Sequence, residues 1–70
     1  MKTEVLRNRV NIPMFVVYRL YMELNGDFDR LLQVMQDVIC YGVYNISMPQ
    51  NTYISPPLWE WIKTEIDKYN

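Results

Sequence analysis

The stretch that begins at Asn25-Gly26-Asp27 constrains this chain most. Asn-Gly is a turn dipeptide, and Asp27 is a natural N-cap whose carboxylate can accept from the free N–H groups of a helix start. Behind it Phe28, Leu31, Leu32, Met35, Val38 and Ile39 recur at helical spacing, with Arg30, Gln33, Gln36 and Asp37 between them. That spacing predicts an amphipathic helix over 28–41, and Gly42 is placed to end it. Such a helix must lay its apolar side on something, so the flanking segments have to supply a partner.

Two further helices answer that demand. Pro13 suits the first turn of a helix over 14–24. Val16, Val17, Leu20 and Leu24 form its stripe, and Phe15, Tyr18, Tyr21 and Met22 broaden it until Arg19 and Glu23 are the only charges. A helix apolar nearly all round is buried on most sides. A chain of 70 residues has little interior to offer it. A second copy of the chain is therefore expected to help cover it. Pro56-Pro57 then interrupts any helix and opens another over 57–69, with Leu58, Ile62, Ile66 and Tyr69 inward, Trp61 beside them and Trp59 outside. Between them, 43–55 reads as a short hairpin or an ordered loop, with a turn at Pro49-Gln50-Asn51-Thr52.

Ahead of Pro13, residues 5–12 alternate: Arg7, Arg9 and Asn11 on one face, Asn8, Val10 and Ile12 on the other. Period-two alternation ended by a proline predicts a half-buried strand. The expected fold is therefore mainly α: one domain over 1–70, a short N-terminal strand followed by three helices at about 14–24, 28–41 and 57–69, assembled as a dimer.

Composition narrows the chemistry. There is no histidine and one cysteine, Cys40. That excludes a disulfide within the chain, histidine-based catalytic constellations and the usual zinc sites. The two glycines are far apart, so no glycine-rich loop can cradle a phosphate. Asp27 and Asp29 read as a cap and a favourable first-turn charge rather than as a metal or acid pair. The expectation is a binding domain, not an enzyme, with no cofactor, metal or small-molecule substrate. No apolar run reaches the length of a membrane span, and a lone thiol fits a reducing compartment, so a cytoplasmic protein is expected.

Charge is uneven. Residues 1–24 carry Lys2, Arg7, Arg9 and Arg19 against Glu4 and Glu23, while 25–70 carry six acids against Arg30, Lys63 and Lys68. A basic N-terminal segment on an acidic chain can make a local cationic face.

The order strand, proline, helix, Asn-Gly turn, helix over residues 5–41 resembles the ribbon-helix-helix family of dimeric DNA-binding regulators. The resemblance implies that the strand pairs with its copy in a dimer and that the two-stranded ribbon enters the major groove. It implies base reading by Arg7, Arg9 and Asn11, since Arg can bridge the guanine acceptors and Asn can pair with adenine. The bland alternative is that Arg7 and Arg9 are solvated charges that protect a strand edge.

A different reading starts from the C-terminal half. Tyr53, Pro56, Pro57, Trp59 and Trp61 form an aromatic block, and Trp and Tyr are enriched where proteins bind one another. Trp61 reads as core, whereas Tyr53 and Trp59 are the candidates for a protein contact. The alternative expectation, by analogy with other compact acidic chains that have no site of their own, is a small phage- or plasmid-type protein that docks on and inhibits a larger host or defence enzyme. A third possibility is a structural subunit whose helices complete a larger assembly.

Overall fold

A computed structural model of the chain describes residues 10–70. It contains three helices: α1, Met14–Glu23; α2, Phe28–Tyr44; and α3, Pro56–Tyr69. They pack around one core to which α1 gives Val16 and Leu20, α2 gives Leu31, Val34 and Val38, and α3 gives Leu58, Trp59, Ile62 and Ile66. Leu24, just after α1, and Ile54, in the loop before α3, complete it.

The turn between α1 and α2 is built by its own backbone. Gly26 N–H donates to Tyr21 O at 2.8 Å and Asn25 N–H to Met22 O at 3.0 Å. These are the paired bonds of a Schellman motif, which occupies carbonyls left open by a helix end. Both residues sit at positive φ, 58° for Asn25 and 73° for Gly26. Asparagine and glycine are the residues that reach this region at least cost. Asp27 then caps α2, its Oδ1 accepting from Arg30 N–H at 3.1 Å.

The expected N-terminal strand is not found: among the described residues there is no strand at all, and 10–12 are irregular. The rest of that segment, 5–9, lies outside the described residues. The physical reason is visible at Asn11. Its backbone N–H donates to Asn70 Oδ1 at 2.9 Å, and its carbonyl accepts from Asn70 Nδ2 at 2.9 Å. One side-chain amide at the end of α3 thus takes both backbone groups that a neighbouring strand would have used.

Helix ends also differ from expectation. Gly42 does not stop α2; the helix runs on to Tyr44, and Asn45 closes it in the left-handed region at φ 61°. Gly42 serves a close approach instead. A Cβ there would lie 2.6 and 2.7 Å from the two γ carbons of Val10, so glycine is what lets Val10 lie against α2. The segment after α2 is a loop rather than a hairpin, and α3 begins one residue early, at Pro56, with Ser55 Oγ accepting from Leu58 N–H at 3.4 Å.

Burial corrects two further expectations. Trp59 is the core tryptophan, 3% exposed, while Trp61 is only partly buried. The loop folds over the Trp59 side of α3, which helical spacing alone does not show. Met14, Phe15, Tyr18, Tyr21 and Met22 of α1 are all exposed within one chain, in line with a helix too apolar for so short a chain to cover. Tyr69, expected inward, is half exposed as well.

Candidate interaction surfaces

Three regions of the molecule bear on binding. The first is the junction of α2, α3 and the loop. Asp37 is buried, and its Oδ2 accepts from Asn51 Nδ2 at 2.7 Å. Asn51 Oδ1 accepts from Tyr53 N–H at 3.2 Å, so one side chain shapes the loop and ties it to α2. Trp59 Nε1–H donates to Ser47 O at 3.1 Å, and the indole meets Tyr41 edge-on with ring centroids 5.9 Å apart. Tyr41 O–H donates to both carboxylate oxygens of Asp67, at 2.9 and 3.1 Å. Its pKa is raised above the usual phenol value, first by burial, then by the hydrogen bond to Asp67, then by the negative charges of Asp67 and Glu60.

Between loop and α3 lies a cleft of about 690 Å³, lined largely by apolar groups of Met48, Pro49, Tyr53, Ile54, Pro56 and Trp59. Of the two aromatic candidates, Tyr53 is exposed on its wall and lies under the Arg30 guanidinium, 5.1 Å from the ring centroid. Trp59 reaches the cleft only with the small part of its surface that the core leaves open.

The second region is the N-terminal segment. Arg7 and Arg9 lie outside the described residues. Asn11 is turned to the end of α3: besides its backbone bonds, its Nδ2 donates to Tyr69 O at 3.3 Å. The structure thus places Asn11 apart from Tyr53 and Trp59. Among the described residues all four cations are in ion pairs: Arg19 with Glu23, Arg30 with Asp27, Lys63 with Glu60 and Lys68 with Glu65. The Arg19 guanidinium also stacks 4.4 Å from the Trp61 ring, beside an edge-to-face row of Phe15 with Trp61 and Tyr69.

The third region was only half foreseen: the apolar excess of α1 was read from the sequence as a face for another chain, but its continuation on α2 was not. On α2, Phe28, Leu32 and Ile39 are exposed while Leu31, Val34 and Val38 are buried. Two apolar stripes share the helix: 31-34-38 faces the core, and 28-32-35-39 runs beside it. The signal was the breadth of the pattern, since six apolar residues span more of the circumference than one core contact can cover. On α1, Met14, Tyr18 and Tyr21 form the corresponding outer stripe.

Each outer stripe borders a residue that packs on the core, Val17 on α1 and Met35 on α2. Each lies away from the side that meets α3, marked by Phe15 and Arg19 on α1 and by Tyr41 on α2. Helical periodicity therefore turns both stripes toward the outer side of the α1–α2 pair, away from its contacts with α3. The charged residues of these helices, Arg19, Glu23, Asp29, Arg30 and Asp37, fall at other angles.

Among the described residues no group of three or more His, Cys, Asp or Glu side chains could hold a metal ion, and no helix is long and apolar enough to cross a membrane. No protein-family model matches the chain, and neither a curated protein nor a solved structure matches it.

Proposed function

We propose that this chain is a non-catalytic domain that works by protein–protein contact. The observation that carries the reading is the uncharged face shared by α1 and α2. Soluble monomers rarely leave a contiguous apolar patch of more than a few hundred Å² open, and larger ones mark sites of association. Here Tyr18 is 64% exposed, Phe28 61%, Leu32 51% and Ile39 45%. Tyr, Phe and Met are residue types enriched at interfaces. An inhibitor, an adaptor or a subunit of a larger assembly each uses such a face, and the lone Cys40 suits work in a reducing, cytoplasmic setting.

The DNA-directed reading stands second. DNA binding draws its affinity from cations that neutralise phosphate, and every cation among the described residues already has a carboxylate partner. Asp27 and Asp29 at the start of α2 would repel a phosphate placed there.

A photo-crosslinking side chain at position 28 or 32, in cells that produce the protein, tests the proposal. The expected result is protein adducts from both positions and none from Thr64, which is exposed on α3. Crosslinks from Thr64 alone, or from none of the three, would overturn it.

A further inference from the structure

We infer that the α1–α2 face binds a second copy of the same chain, making an isologous dimer in which α1 and α2 of each protomer cover those of the other. This rests on the interaction reading above and names the partner.

Area is the first argument. A Phe or Tyr side chain carries about 150–250 Å². The open portions of Met14, Tyr18, Tyr21, Phe28, Leu32 and Ile39 therefore sum to several hundred Å², on the order of the 800 Å² per partner that a standard interface buries. Charge is the second argument. The full chain carries a net charge of −1, with seven acids and four cations among the described residues. The α1–α2 face carries none of those described charges, so two copies can meet there without opposing them.

Character is the third argument. Surfaces that meet transient partners carry charge that steers the encounter, whereas permanent homodimer interfaces resemble a domain core cut in two. Met, Tyr, Phe, Leu and Ile with no charged residue among them belong to the second kind. A two-fold interface asks only that one patch be complementary to itself, and an apolar, uncharged patch meets that condition without a matching set of opposite charges.

The test is the solution mass of the full chain by sedimentation, from low micromolar to about 200 µM, beside the double variant Leu32→Glu/Ile39→Glu. The wild type is expected at twice the 8.5 kDa chain mass. The double variant is expected at the single mass, with unchanged far-ultraviolet circular dichroism and a dissociation constant raised at least about 30-fold. Tyr18→Arg on α1 should weaken the dimer in the same direction and keeps the test decisive if the double variant fails to fold.

A wild type at the single mass throughout, or a dimer untouched by these variants, overturns the inference. The two readings fail separately. A monomer whose position 28 crosslinks to a different protein removes self-association and leaves the interaction reading standing. A monomer that crosslinks to nothing removes both.

Discussion

The two sides of α2 are finished to different degrees. Toward α3, long-range polar bonds complete the packing: Asp37 with Asn51, Tyr41 with Asp67, and Trp59 with Ser47. Toward the outer α1–α2 face, on another side of the same helix, Phe28, Leu32 and Ile39 are as apolar as a core yet remain about half exposed. A single helix thus carries one stripe whose burial is satisfied within the chain and a second whose burial is not. Hydrophobic pattern alone does not tell which stripe a monomer will cover, because both have helical period. What decides is where the loop and α3 can reach, and they reach the side where polar groups stand ready to bond them.

The contrast is sharpened most by the residue at the centre of the finished side. Trp59→Ala removes a nearly fully buried indole and leaves Ser47 O without its donor. The expected cost is about 3–5 kcal/mol, as for other buried aromatic truncations. That is a large share of the few kcal/mol that holds a domain of this size together. Urea denaturation followed by circular dichroism should show the midpoint collapse or the chain unfolded without denaturant. A change below about 1 kcal/mol would mean that Trp59 packs far more loosely than a core residue does.

Asn51→Ala probes the same side with a polar deletion. It leaves the buried Asp37 carboxylate without its amide and frees the Tyr53 N–H from its turn. Removing one partner of a buried hydrogen bond to a charged group costs about 1.5–3 kcal/mol. The expected signature is a lower urea midpoint, together with faster amide exchange across the 46–55 loop. Unchanged exchange there would show that the loop is held by Ile54 and the Trp59 contact instead.

How much of this was legible in the sequence follows a physical line. Local chemistry was: Asn25-Gly26 makes the turn and Asp27 caps α2 because both act through atoms within a few residues. Contacts between distant residues were not. Asn11 meets Asn70 across 59 positions, so its place in an alternating segment suggested a strand, although an amide at the end of α3 takes the backbone groups of Asn11. Gly42 looked like a helix end because glycine usually is one there; Val10 lying against it gives the glycine a different use. Tyr53 and Trp59 were singled out together as exposed aromatics, yet only a loop folding back over α3 separates them into an exposed and a buried ring. On α2 the pattern was correct as a helix and silent about which stripe the monomer covers.

The gentlest probe is Tyr41, at the rim of the finished side. Its folded pKa is raised, by burial first and then by Asp67. A phenol whose pKa is higher when folded binds its proton more tightly in the native state than in the unfolded one. Its contribution to stability is therefore whole below the unfolded value of 10.0 and is lost as pH rises through the higher folded value. Stability measured by urea should then fall as pH climbs past the ordinary phenol range, because ionised Tyr41 can no longer donate to Asp67 and would face its charge. Tyr41→Phe removes both the proton and the hydrogen bond. It should lower stability modestly at neutral pH and flatten the alkaline slope. If the slope is the same in wild type and variant, the bond to Asp67 does not close this side of the fold, and the contrast with the open α1–α2 face rests on Asn51 and Trp59 alone.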